Sequence, residues 1–364
     1  MSHSAAPPFD HSSGPKTAAI AVVGEAWGSD EEACGGIPFI GYSGQELTRM
    51  FKAVGIKRED CFLTNVFALR PPSNDISALC DNKTAVKKLC PMAAAVPPLS
   101  KGKYLRPEYL PELERLRQEL EALPNLTVIV ALGATVAWAV LGTNAIGSIR
   151  GTVAMSTLVP RAKVLATYHP AHVLRQWNTR PIVLKDLAKA LAQSAFPGLR
   201  QPEHNITIAT SLQAIQDFLN EAASARLMAV DVETKLGQIT CLGFGISPTK
   251  AFVVPFHDSS KDGGSYWPSA AAEATAWSLC KAILDLPCEK VFQNGLYDLQ
   301  YLALYGIQPR NCAHDTMLLH HSIYPELQKG LGFLGSIYCD LPAWKLMNPH
   351  HQKATASADA KADE

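Results

Sequence analysis

VVGEAWGSDEEACGGIPFIGYSG (residues 22–44) decides how the first half of this 364-residue chain is read. An apolar, β-branched run ends in a glycine-rich turn holding Glu25, Asp30, Glu31 and Glu32, and a helix start follows at SGQEL. A strand that empties into such a turn before a helix opens an α/β unit, and glycine lets the backbone approach a ligand closely. The spacing is neither GxGxxG nor GxxxxGKS/T, so the turn matches neither a dinucleotide fingerprint nor a P-loop. Taken alone, it reads as a solvated acidic loop.

Working outward, TAAIAVVG (17–24), CFLTNV (61–66), LTVIVALG (126–133) and KVLATYH (163–169) are short apolar runs with the character of buried parallel strands. Helical patterns alternate with them at 43–55, 111–123, 134–142 and 180–194. Strand and helix in alternation predict a doubly wound parallel sheet, whose ligands lie beyond the carboxyl ends of the strands. Gly24 and Glu25, Asn65 and His169 fall at three of those ends. A lone strand-end Asn usually caps a turn, and a lone His before Pro is usually an ordinary loop residue. Three polar groups at three strand ends point instead to a site.

The pattern breaks at AFPGLRQPEHN (195–205). Beyond it, ITIAT, the helix SLQAIQDFLNEAAS, then LMAVDVET, QITCLGFGIS and KAFVVPF predict a mixed sheet with a hairpin, completed by helices TAWSLCKAILD, LYDLQYLALYG and TMLLHHSIY. The expected plan is a disordered N-terminal segment (1–16), a first domain (17–195), a linker (196–203), a second domain (204–345) and a disordered tail (346–364). Composition agrees with two globular domains, at 47% hydrophobic and 18% charged. No run reaches the ~20 apolar residues of a membrane span, and nine cysteines without a CxxC pair fit a reducing compartment. The expectation is a cytoplasmic protein with no membrane partner. A net charge of zero hides a split: residues 1–200 carry 22 Lys and Arg against 16 Asp and Glu, and residues 201–364 carry 11 against 17.

GEAWG, IPFIGYSGQEL, LTNVFALRPP, VIVALG, IRG and YHPAHVLR, in that order, resemble the uracil-DNA glycosylase superfamily, most nearly its family 4-like branch including versions carried by bacteriophages. The resemblance covers about residues 17–195. It implies a bacterial, phage-encoded setting and uracil-containing DNA as the partner. It also implies Glu25 and His169 as catalytic groups, with Gly24, Phe39 and Asn65 around the uracil: Phe39 stacks on the ring, Asn65 reads its O4 and N3 edge, Glu25 serves the sugar and the water, and His169 donates to O2. HPAHVLR would enter the groove, making His172 and Arg175 DNA contacts. Arg150 is assigned to DNA as well, with bracing of its own loop as the other reading. Glu31 matches a more peripheral acid.

Three departures stand out. Trp27 replaces a proline. A longer insertion follows LRPPSND and contains KLCPMAAAVPPLSKGKYLRPEY, whose lysines would add DNA affinity. Family 4 members also hold an iron–sulfur cluster through four cysteines, whereas here no cysteine precedes Cys34, so no cluster and no cofactor is expected for the glycosylase.

In the second domain Asp231 and Glu233 alternate on one strand face, and VFQNGLYDLQYL sets Asn294 and Asp298 four apart, as on one face of a helix. Paired acids tolerate each other best around a cation, and carboxylate clusters holding Mg²⁺ or Mn²⁺ cleave phosphodiesters. These segments resemble the ribonuclease H-like, DnaQ-type 3′–5′ exonuclease domain of family A DNA polymerases over about 204–345, which implies Asp231, Glu233 and Asp298 as metal ligands. The third motif, YxxxD, is missing, and a site short of one carboxylate implies weak or absent nuclease activity. The sequence thus predicts a monofunctional uracil-DNA glycosylase fused to an exonuclease-like module. Its alternatives are a Mg²⁺/Mn²⁺-dependent 3′–5′ exonuclease, or a replication accessory protein that binds DNA through its first domain and docks a DNA polymerase.

Overall fold

The computed structural model describes residues 11–93, 95–200 and 202–340. The expected tail at 346–364, and residues 1–10 of the N-terminal segment, lie outside the described residues. The chain divides into two units, residues 1–200 with 332–364, and 201–331.

In the first unit the strands are β1 (Ile20–Ala26), β2 (Cys61–Phe67), β3 (Cys80–Asp81), β4 (Tyr104–Leu105), β5 (Val128–Leu132), β6 (Val153–Met155) and β7 (Lys163–Thr167). The helices are α1 (Ser29–Ala33), α2 (Tyr42–Val54), α3 (Lys83–Leu89), α4 (Leu110–Glu121), α5 (Ala134–Leu141), α6 (Ile146–Ile149), α7 (Pro170–Arg175) and α8 (Arg180–Ser194). The main sheet has the order β2-β1-β5-β7-β6, with the first four strands parallel and β6 antiparallel at the edge. Every residue of β2, β5 and β7 is buried, because helices cover both faces of the sheet and its strands are apolar on both. The chain moves from β1 outward to β2, then returns to the other side of β1 for β5 and β7. That reversal opens a crevice at the carboxyl ends of β1 and β5.

Buried ionic contacts tie helices to strand ends. From α4, Arg115 pairs with Glu119 at 2.6 Å and donates to the carbonyl oxygens of Asn65 (2.8 Å) and Val66 (3.0 Å), while Thr64 Oγ1 donates to Glu119 at 2.6 Å. The insertion after residue 75 is ordered: β3 and β4 pair antiparallel, and Val86 and Ala93 form a small apolar cluster with Cys90, Tyr104 and Leu110.

In the second unit the strands are β8 (Asn205–Ile208), β9 (Leu227–Lys235), β10 (Gln238–Ser247), β11 (Lys250–Pro255), β12 (Glu289–Phe292) and β13 (Cys312–Asp315). The helices are α9 (Leu212–Ala222), α10 (Ala270–Leu284), α11 (Gly295–Leu304) and α12 (Thr316–Ile323). The sheet order is β13-β12-β9-β10-β11-β8, with β9, β10 and β11 antiparallel and the outer pairs parallel. This is the mixed, ribonuclease H-like sheet expected. Its core gathers Val230 and Val232 of β9 with Ile215 and Phe218 of α9 and Cys280 and Ile283 of α10.

The last described helix is α13 (Leu331–Tyr338), and from Gly332 onward the described residues cluster with the first unit. Arg150 donates to Ser336 Oγ and lies 4.6 Å over the Phe333 ring, and Lys189 Nζ donates to the carbonyls of Ser336 (2.8 Å) and Cys339 (2.7 Å).

Candidate active site

A cavity of about 670 Å³ opens at the carboxyl ends of the first sheet, and Glu25, Phe39, Asn65, His169, His172 and Arg175 all line it. Glu25 arrives from β1, Asn65 from β2, His169 just past β7, and Phe39 from the loop between α1 and α2. The strand register explains part of this convergence, since Gly24 pairs directly with Asn65.

Gly24 makes room for its neighbours. A Cβ there would lie 2.2 Å from Asn65 Oδ1 and 2.7 Å from Phe39 Cζ. Asn65 is buried, and its Nδ2 has no hydrogen-bond partner among the described residues. A buried amide left with unused donors is costly unless something polar occupies the space before it.

Phe39 is buried with φ at +60°, a backbone conformation that a side-chain-bearing residue adopts only when its surroundings impose it. Three features hold it. Glu31 accepts from the Phe39 amide and, at 3.1 Å, from the Gly28 amide; Arg58 donates to the Phe39 carbonyl at 3.0 Å; and Gly44 has no Cβ where one would lie 1.8 Å from that carbonyl oxygen. Glu31 is therefore a clasp of the turn, with each carboxylate oxygen engaged by a backbone amide. Trp27, in place of the family's proline, turns its ring edge-on to His11 at 4.8 Å between centroids and against Gly36, whose φ is +87°.

The two acid–base candidates differ in environment. Burial raises the Glu25 carboxyl above the usual carboxylate range, the Thr135 hydroxyl bonded to it opposes that rise, and Asp75 adds to it. Burial, helped by the Arg175 charge, pushes His169 down to about 4. His169 is thus neutral at pH 7. Its Nδ1 accepts from the Ala171 amide at 3.2 Å, so the ring proton is on Nε2. Proline at the first position of α7 fixes this cap, with His169 as the N-cap residue.

His172 stacks on Tyr168 at 4.8 Å, and Arg175 is exposed at the rim. Arg150 departs from its expected role as a DNA contact. It is 2% exposed, pairs with Asp186 at 3.1 Å, and does not reach the cavity. A guanidinium enclosed by a carboxylate, a hydroxyl and a phenyl ring is a brace, which was its other reading. Thr135, Arg115 and Arg58 were missed in the sequence. Arg115 and Glu119 had a signal, since they recur on the helix face of Leu116 and Leu120, where charge is out of place.

The cysteines do not fit a four-thiolate cluster. The buried Cys80 thiol, pushed up to about 11 by burial, donates to the Ile76 carbonyl at 3.6 Å, and Cys90 packs into the insertion's apolar cluster. Among the described residues no group of three or more His, Cys, Asp or Glu is placed to hold a metal ion.

In the second unit Asp231 and Glu233 are exposed on one face of β9, paired in register with Gly243 and Cys241. Asp298 lies buried on α11 and accepts from the Val232 amide at 2.8 Å. Burial pushes Asp298 up to about 6 against that hydrogen bond, with Asp231 and Asp315 adding to the rise. Asn294 does not share the helix face expected of it: it is the N-cap of α11 at φ +60°, where its amide donates to Asp315. Asp315 also takes the Gly295 and Met317 amides, which makes it a cap of both helix starts.

A model described as the uracil DNA glycosylase superfamily matches residues 11–192, and one described as 3′–5′ exonuclease matches 206–363. A type-4 uracil-DNA glycosylase of Archaeoglobus fulgidus is 34% identical over 182 residues, 48% of this chain and 77% of that protein. One from Thermotoga maritima is 34% identical over 175 residues, 47% and 75%. Among solved structures, Escherichia coli RNase D aligns at 18% identity and a TM-score of 0.29, over 38% of this chain and 34% of that one. The catalytic core of Trypanosoma brucei RRP6 aligns at 16% and 0.30, over 38% and 36%, so this chain spans about a third of each. No described helix is long and apolar enough to cross a membrane. With half its length matched by the glycosylase model and three quarters of each of these type-4 relatives spanned, the chain belongs to the uracil-DNA glycosylase superfamily.

Proposed function

We propose that the first unit hydrolyses the N-glycosidic bond of deoxyuridine in DNA, releasing uracil and leaving an abasic site. The observation that carries this reading is the unpartnered Asn65 amide on a cavity wall that also bears Glu25 and His169. A base extruded into this cavity stacks on Phe39. Asn65 Nδ2 donates to uracil O4 and Oδ1 accepts from N3–H, a pattern that cytosine inverts. As the C1′–N1 bond breaks, its electron pair stays on the base, and the Nε2 proton of His169 faces the charge growing on O2. The Glu25 carboxylate stabilises the cationic sugar, orients the water whose oxygen bonds to C1′ and takes the proton that this water gives up. His172 and Arg175 contact the DNA beside the extruded nucleotide.

For the second unit we propose an exonuclease-like fold with weak or no nuclease activity. Asp298 commits one oxygen to a backbone amide, and the acids reach no three-carboxylate grouping among the described residues. A labelled single-stranded oligonucleotide with one uracil tests both readings. In EDTA the expected product is a cut at uracil that appears only after alkali. A ladder that needs Mn²⁺, forms without alkali and disappears with Asp231→Ala would make the second unit the enzyme.

Gly24→Ala probes the pocket itself. The added methyl must displace Asn65 or Phe39, and misplacing a binding group by about 1 Å costs roughly 10²-fold in rate. The expected result is a loss of that order in single-turnover base release. Release at the wild-type rate would mean that neither side chain holds the base.

A further inference from the structure

Residues 82–106 contain Lys83, Lys87, Lys88, Lys101, Lys103 and Arg106 and no acid. This segment alone accounts for the entire excess of positive charge over residues 1–200, where 22 Lys and Arg face 16 Asp and Glu. Arg106 is engaged internally, donating to the Ala78 carbonyl at 2.8 Å and lying 3.5 Å from Glu108. The five lysines are exposed, and none of them forms an ion pair among the described residues.

The lysines project from an ordered platform. Asn82 caps α3 by accepting from the Ala85 amide at 2.9 Å, and Lys83 and Lys87 stand one turn apart with Lys88 adjacent. Lys101 and Lys103 occupy a tight turn closed by the Lys103 amide on the Ser100 carbonyl at 2.7 Å, with Lys101 at φ +48°. The β3–β4 pairing brings turn and helix together, and Lys83 Nζ lies 5.5 Å from the centre of the Tyr104 ring. Leu99 and Leu105 anchor the segment in the main core, and Trp138 Nε1 donates to the Pro97 carbonyl at 2.9 Å.

The platform is joined through a short stretch of chain to the wall of the base pocket. Pro71 and Asn74 line the cavity, and the chain runs from them through Asp75 into β3. Asp75 is held below the usual carboxylate range by the Ser77 hydroxyl and amide, assisted by Lys101 and Lys103, and Asp75 in turn acts on Glu25. Asp75 therefore lies within electrostatic reach of both the turn lysines and Glu25.

We propose that Lys83, Lys87, Lys88, Lys101 and Lys103 form a phosphate-binding track that holds the DNA strand on one side of the extruded nucleotide. This rests on reading the first unit as an enzyme of DNA. Each lysine engaged with a phosphate releases bound counterions, so it steepens the fall of affinity with salt without touching the chemical step.

Binding of the full-length protein to a uracil-free single-stranded oligonucleotide, read by fluorescence anisotropy in EDTA across a salt series, tests the track. Lys101→Ala/Lys103→Ala and Lys83→Ala/Lys87→Ala/Lys88→Ala are each expected to weaken binding and to flatten the plot of log affinity against log salt by about 0.7 per lysine engaged. Melting temperature and single-turnover base release at saturating protein should stay at wild-type values. Lys52→Ala/Lys57→Ala, in the last turn of α2 and just beyond it, should leave the slope unchanged. Wild-type slopes in both insertion variants, or an equal flattening in the Lys52/Lys57 control, would overturn the proposal. Binding is read without base release, so the two readings fail separately: a flattened slope in a protein that frees no uracil keeps the track and rejects the glycosylase, and the reverse rejects the track alone.

Discussion

Glu25→Gln lowers the single-turnover rate of uracil release roughly 10²- to 10⁴-fold, the range a positioned acid or base supplies, and leaves binding of uracil-containing DNA intact. The substitution keeps an oxygen to accept from Thr135 and preserves the volume of the cavity wall, so the loss isolates the carboxylate charge. The pH dependence should disappear with it. In the wild type the ionised carboxylate is the active form, and burial raises its pKa, so the rate rises with pH through a window above the ordinary carboxylate range and then levels. His169 adds no inflection near its usual 6.5, because it stays neutral down to about 4. A rate within tenfold of wild type in Glu25→Gln would move the acid's role elsewhere, with Glu31 as the next candidate on the cavity wall.

Arg150→Met destabilises the protein by about 3–5 kcal/mol, because it strands the buried Asp186 without its ionic partner. For a unit of about 200 residues that corresponds to a fall in Tm of roughly 10 °C. Asp186 also accepts from Thr167 Oγ1 at 2.6 Å, two residues before His169, so slower base release should accompany the loss of stability. The salt dependence of DNA binding should not change. A flattened salt slope with an unchanged Tm would instead return Arg150 to the DNA. Arg150→Met/Asp186→Leu removes both charges and should recover much of the stability, which a role in phosphate binding would not predict.

The four parallel strands were legible because each is an apolar run bounded by turn residues, and the helices because their faces repeat. The short β3 and β4, the seven-residue α3 and the edge strand β6 carry no such period. The insertion elements β3, β4 and α3 form because Leu99 and Leu105 enter a core that other segments build, and β6 forms by pairing antiparallel with β7. Asn65 and His169 could be placed at strand ends, but the room that the Asn65 side chain occupies depends on Gly24 beside it, a contact between strands 41 residues apart in sequence. Arg150 misled for a related reason: its enclosure comes from Phe333 and Ser336, nearly two hundred residues downstream, where local pattern says nothing of a partner. Asn294 continued a helical spacing by count, yet its left-handed backbone ends the pattern one residue before α11.

The docking of α13 onto the first unit gives the chain an unusual covalent economy. The chain leaves that unit at Arg200 and its residues cluster with it again from Gly332, so residues 201–331 are held by two attachments rather than one, although the exonuclease match runs on past them to 363. A protease nick between residues 196 and 204 would cut the backbone without parting the fragments, because the C-terminal piece keeps its helix bonded to Arg150 and Lys189. Cutting the gene at residue 200 is a different operation: it would deprive a buried arginine of its hydroxyl and phenyl neighbours. A shortened glycosylase intended for study should therefore join residue 200 to residue 332 through a linker and retain the helix.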